Sequence, residues 1–258
     1  MATLDVARTA VRLADDELGT AVMLVAAPDH DSLSDPGARA ALDRLRAGGI
    51  LTDGGLVGYV ARLVAVVAAP KLRITVERFV GRETIVEQAW ATEREGVLGA
   101  VCADGQIELS AVEPSLLPWA IARAVGLGPR ERAAVARSLT IEADAFGGAA
   151  VRAATAPQDA DALLRDGTRL DAAERAAVLA ALVGRRSSWR ATSVWTDARG
   201  ERRLSSVAVL DGGEGGLWLT GHEGEGADAV VCLEPVAPSV VWRRIEDLMP
   251  HPDSEAAG

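Results

Sequence analysis

The sequence predicts an α+β fold with a central antiparallel sheet built from two pseudo-symmetric four-stranded meander units and helical bundles packed beside it. Three observations point there. Four strand-like runs joined by short turns lie between residues 72 and 112, and four more between 189 and 233. Each group ends in the same Glu-Pro step followed by an apolar helical pattern, VEPSLLPWAIARAVGL and LEPVAPSVVWRRIEDL. Aligned, Val112, Glu113, Pro114, Arg123 and Leu127 fall opposite Leu233, Glu234, Pro235, Arg244 and Leu248 at one constant offset. The identities alone are few; the repeated order of elements makes a fold unit used twice the better reading.

The first unit begins with helices. Asp35-Pro36 opens one that ends at Gly48-Gly49, and an apolar helix follows over roughly 55–69. LRITV at 72–76 then alternates, with Leu72, Ile74 and Val76 on one face and Arg73 and Thr75 on the other. TIVEQAWAT (84–92), VLGAVC (97–102) and IELSAV (107–112) continue as strands, the last two joined by an Asp104-Gly105 turn. Turns this short require antiparallel neighbours. Pro114 suits a first helical turn, where its missing N–H costs nothing. Leu116, Leu117, Ala120, Ile121 and Ala124 share a face of the helix that follows, and Gly126, Gly128 and Pro129 stop it.

The second unit repeats the order. Asp171 and Glu174 match a capping pattern ahead of AAERAAVLAALV, which ends at Gly184. WRATSVW (189–195), RLSSVAVL (203–210), GLWLT (216–220) and AVVCL (229–233) read as strands, and Val241, Ile245 and Leu248 face one way on the closing helix. The units span about 36–128 and 171–249 of a single domain covering 1–258, joined by a mixed segment at 129–170 with one strand candidate, SLTIEA. With apolar residues at alternate strand positions, helices are expected mainly on one face of the sheet.

Composition narrows the function. Apolar residues make up 49% and aromatics only 3%, so Ala, Val and Leu must build the core. The net charge is −10 and no basic stripe interrupts it, which argues against a nucleic-acid partner. The longest apolar stretch, LVGYVARLVAVVAA, is too short to span a bilayer and contains Arg62. The start of the chain lacks the basic-then-apolar order of a signal peptide, so a soluble cytoplasmic protein is expected. Cys102 and Cys232 are far apart, each in an apolar run, and read as two buried free thiols.

Catalytic patterns are sparse. No nucleophile elbow or phosphate loop occurs, and GGEGG at 212–216 lacks the strand–turn–helix setting of a dinucleotide site. Asp29, His30 and Asp31 offer a polar centre, as do His222 and Glu223; solvated loops account for both. No metal or cofactor is expected. The tryptophans are more informative. Trp90, Trp189, Trp195 and Trp218 fall on strands, and Trp119 and Trp242 at the two closing helices. Core packing is the ordinary role. Trp218, however, faces away from Leu217 and Leu219, and faces outward if those two meet the helices. Trp90 with Glu93 and Arg94, and Trp218 with Glu223, would each place an apolar anchor inside a charged rim, as partner-binding sites do. The competing reading makes both Trp residues core.

The pattern resembles the EspG family, the cytosolic substrate-specific chaperones of mycobacterial type VII (ESX) secretion. The resemblance covers about 36–249 and rests on RAALDRLRAGG, DGGLVGYVARLVAVVAAP, the LRITV to SAVEP meander, LLPWAIARAVGL, SLTIEADAF and LWLTGHEGEGADAVVCLEP. It implies two pseudo-symmetric halves sharing one antiparallel sheet. It also implies no enzymatic activity, and a helical secreted partner: a PE–PPE heterodimer held through its PPE subunit, or a WXG-type protein. The Ala/Arg-rich, Lys-poor composition points to a divergent actinobacterial member. The alternatives are an interaction module unrelated to secretion and, less favoured, a hydrolase-type enzyme.

Overall fold

The structure is a computed structural model that describes residues 2–5, 10–26 and 35–250. Two short strands, β1 (Thr3–Asp5) and β2 (Ala10–Leu13), precede helix α1 (Asp15–Ala26). Helix α2 (Pro36–Ala47) starts where Asp35 accepts the Ala38 N–H at 2.9 Å, with Pro36 in the first turn. A small hairpin, β3 (Leu51–Thr52) and β4 (Gly55–Leu56), leads into α3 (Gly58–Ala68). The first meander follows as β5 (Leu72–Val80), β6 (Glu83–Ala91), β7 (Gly96–Val101) and β8 (Ile107–Val112). A single 3-10 turn at Pro114–Leu116 then enters α4 (Leu117–Ala124).

The joining segment supplies β9 (Leu139–Glu142), α5 (Ala143–Arg152) and α6 (Pro157–Asp166). Helix α7 (Ala172–Val183) opens on a full capping box: Asp171 accepts the Glu174 N–H, and Glu174 accepts the Asp171 N–H, both at 2.9 Å. The second meander is β10 (Ser187–Thr196), β11 (Arg202–Asp211), β12 (Leu217–Glu223) and β13 (Val230–Val236), closed by α8 (Pro238–Glu246).

The eight meander strands and three others form one sheet of eleven strands, in the order β1-β2-β8-β7-β6-β5-β10-β11-β12-β13-β9. All its pairings are antiparallel, and the meanders join through their first strands, β5 and β10. Strand candidate SLTIEA becomes the edge strand β9. The Glu-Pro step behaves differently in the two halves. Pro114 starts a helical turn as expected, but Glu234 and Pro235 still belong to β13, and α8 begins at Pro238.

Six of the eight helices among the described residues lie on one face of the sheet, in line with the expectation, and α4 and α8 cover part of the other. Leu72, Ile74 and Val76 of β5, Trp189 and Ala191 of β10 and Val207 and Val209 of β11 share a face, on which Leu117 and Ile121 of α4 and Val241 and Ile245 of α8 are buried. On the opposite face Trp90, Val97 and Leu109 pack with α1, α2 and α3. That same face, further along, packs Leu210, Trp218 and Leu233 with α5, α6 and α7. Strands β11 and β12 therefore bury apolar residues on both sides, Val209 and Leu217 on one and Leu210 and Trp218 on the other. Alternation in β5 disguised this, because its polar face lies between the two bundles.

Candidate interaction face

The register of the central strands defines the uncovered part of the sheet. Cross-strand partners point to the same face. One row runs Trp90–Arg73–Val194–Leu204 across β6, β5, β10 and β11. The next rows are Gln88–Thr75–Thr192–Ser206, Val86–Glu77–Arg190–Ala208 and Thr84–Phe79–Ser188–Leu210. Trp90 at one corner lies under the bundle of α1 to α3, and Leu210 at the diagonal corner lies under that of α5 to α7. The remaining residues floor an open groove between the bundles.

This floor has a mixed chemistry. At a third corner stands Leu204, 68% exposed, and next to Thr84 at the fourth stands Phe79, 43% exposed. Between them Arg190 donates to Glu77 from Nε at 3.0 Å and from Nη2 at 2.6 Å. Arg73 donates to the Gln88 side chain at 3.3 Å. An exposed ion pair of this kind adds little stability, since water screens it. It holds two charged side chains flat on the sheet and leaves Thr75, Thr192 and Ser206 as hydroxyl donors and acceptors around them. Apolar side chains toward two opposite ends and a polar, hydrogen-bonding centre suit a protein surface better than a reacting small molecule.

Beyond Leu210 the strands diverge. β11 and β12 pair only at Val209–Asp211 with Leu217–Leu219, close to their shared turn. Beyond that point β12 continues to Glu223 with β13 as its neighbour. Glu223 thus ends its strand at the level of the Leu204 end of β11.

The sequence-predicted site residues are placed as follows. Trp218 is fully buried and its indole N–H donates to the Gly215 carbonyl at 2.9 Å, so the outward anchor expected there is corrected to core. Its strand neighbours Leu217 and Leu219 meet α4 and α8, but a second bundle covers the other face as well. Trp90, 6% exposed, is likewise core, under the first bundle. Glu93 and Arg94 are exposed in the β6–β7 turn, where Lys71 Nζ donates to Glu93 at 2.5 Å and holds its carboxyl below the usual carboxylate range. Glu223 is exposed. The two Trp residues belong to different bundles, so no single site gathers all five.

Asp29, His30, Asp31 and the closing HPDSEAAG lie outside the described residues. His222 and Glu223 are exposed at the end of β12, and among the described residues no group of three His, Cys, Asp or Glu could hold a metal ion. Cys102 and Cys232 are free but half-buried rather than fully buried; burial pushes the Cys232 thiol up. No helix among the described residues is long and apolar enough to cross a membrane. The open floor escaped sequence reading because nothing in β5, β10 or β11 states where two bundles leave a gap. Its signal was present: Arg73, Thr75, Glu77 and Phe79 occupy every second position of β5.

In this α+β protein the main sheet carries two helical bundles on one face, with an open floor between them. The chain is a member of the EspG family, whose pattern it matches over residues 8–247. It is similar in fold to the Mycobacterium tuberculosis type VII secretion system chaperone EspG5, solved in complex with a PE25–PPE41 dimer. The TM-score is 0.60 at 17% identity, over 94% of this chain and 97% of that one. No curated protein matches it.

Proposed function

We propose that the chain is a cytosolic, non-catalytic chaperone that binds a helical PPE-like or WXG-type substrate of a type VII secretion system and keeps it soluble before export. Membership of the EspG family over residues 8–247 carries this reading. The structurally similar chaperone, bound to a PE–PPE dimer, supports it. The floor between the bundles is the docking surface: Phe79 and Leu204 supply apolar contact, and Glu77, Arg190 and Arg73 supply orientation. Glu93, Arg94 and Glu223, exposed at strand ends, serve as outer rim charges. We also propose that the segments 36–128 and 171–249 are one unit used twice, because two meanders of equal order join antiparallel through β5 and β10.

Affinity purification of the tagged chain from its native host, followed by mass spectrometry, tests the partner class. Recovery of a PPE-like or WXG-type helical protein is expected. A host in which such proteins are expressed, yet never recovered with the chain, contradicts the proposal.

A further inference from the structure

Strand β9 ends the sheet: one of its edges pairs with β13 and the other faces out. The register says which backbone groups point which way. The Ala143 N–H donates to the Ala229 carbonyl, and the same register sets Glu142 opposite Val230, Ile141 opposite Val231 and Thr140 opposite Cys232. Antiparallel strands bond through alternate pairs, so Thr140 and Glu142 turn their backbone groups away from β13. The Glu142 carbonyl opens helix α5. The Thr140 N–H and carbonyl and the Glu142 N–H are left without a backbone partner among the described residues. Neither proline nor lysine, which blunt such edges, occurs in β9.

The space beside this edge suits an extended chain. A groove of about 470 Å³ lies between β9 and the α6–α7 connection, with Thr140 and Glu142 on one wall and Thr168, Arg169 and Leu170 on the other. Arg137 also lines it and is held by Glu174 of α7. Glu142 and Arg169 are exposed and make no ion pair among the described residues. They serve different faces of the sheet. Glu142 shares its face with Val230 and the Glu223 carboxylate. Leu170, next to Arg169, packs into the bundle of α5 to α7 on the opposite face. Free N–H and carbonyl groups along a strand edge call for another backbone, whose successive side chains point to opposite faces. The one opposite Glu142 meets two carboxylates and is best basic; its neighbour turns toward Arg169 and is best acidic.

We propose that β9 takes a short extended segment of a partner protein as an added strand, with a basic residue opposite Glu142 and an acidic residue beside it. The added strand runs antiparallel, as the pairings within this sheet do. Its residue opposite Thr140 exchanges both backbone bonds, and its residue opposite Glu142 accepts that N–H. A second copy of this chain is a poorer occupant, because β9, Leu-Thr-Ile-Glu, brings a carboxylate and no basic residue. The proposal does not depend on what the floor between the bundles binds.

Fluorescence anisotropy of the full chain with a labelled peptide, Val-Lys-Glu-Thr-Val, tests it. Saturable binding with a Kd below about 1 mM is expected. Methylating the backbone nitrogen of the peptide's threonine, the residue set against Thr140, is expected to weaken binding about tenfold or more. Glu142→Lys is expected to prefer Val-Glu-Glu-Thr-Val over the original peptide. Glu142→Pro removes the outward N–H at a backbone φ of −54°, which a proline ring accepts, and is expected to keep native circular dichroism and lose binding. No saturation by about 1 mM, a methylated peptide that binds as well as the parent, or an unchanged preference in Glu142→Lys overturns the proposal. So does a dimer of the chain, seen by sedimentation velocity, that Glu142→Pro dissolves.

Discussion

Trp218 shows how a single side chain depends on layers the sequence does not state. Alternation along β12 placed it opposite Leu217 and Leu219, which is correct. Whether that direction meant solvent or core depended on a helical layer supplied by residues more than thirty positions upstream in α5, α6 and α7. Replacing this fully buried indole with Ala is therefore expected to cost roughly 3–5 kcal/mol of stability, read by chemical denaturation. A loss below about 1 kcal/mol would mean the side chain is not packed as described. Asp211 makes a similar case. It is nearly buried and held by Arg130, whose Nε and Nη2 donate to its carboxylate at 2.9 and 2.7 Å. Arg130→Met leaves that carboxylate without its cation, and a loss of about 3–5 kcal/mol is expected. Nothing in the sequence linked these two residues, because they are brought together only by the end of the β11 strand.

At the scale of elements, capping chemistry was legible and loop function was not. Asp35-Pro36 and Asp171 with Glu174 marked helix starts that the structure repeats, since each cap is a local hydrogen bond between neighbours. GGEGG at 212–216 read only as a hairpin loop, yet it is also a packing surface for α7. A Cβ on Gly215 would lie 2.7 Å from the Ala181 Cα, and one on Gly212 at 2.8 Å from the same atom. Gly215→Ala must push strand and helix apart, and a melting temperature lowered by several degrees is expected. The β10–β11 turn carries a pH dependence. Asp197 accepts the N–H groups of Glu201 and Arg199 and the Arg203 guanidinium, which hold its carboxyl below the usual range. A depressed value means the folded form binds its proton less readily than the unfolded one. The stabilisation is thus present at neutral pH and lost as pH falls through the depressed value. Amide exchange at Arg199 and Glu201, corrected for the intrinsic rate, should speed up over that acid interval; Asp197→Asn should show the faster exchange already at pH 7.

For the whole molecule, the repeated order of strands and closing helices was readable because strand period and turn chemistry are local. The placement of bundles was not. Two short strands, β1 and β2, were missed altogether: three and four residues carry too little alternation to register. The gap on one face of the sheet follows from where α1 to α3 and α5 to α7 settle, while α4 and α8 cover the other face. The proposal that the floor between the bundles receives the helical substrate turns on that gap. The most direct measurement is the affinity of a purified PPE-type substrate, in its native heterodimer, for the wild-type chain and for the double variant F79D/L204D. Both changes are at exposed positions and should leave the melting temperature nearly unchanged. The account predicts that binding weakens by about a hundredfold or more, as burial of two unpaired carboxylates in an apolar contact requires. Undiminished binding by the folded double variant would contradict it.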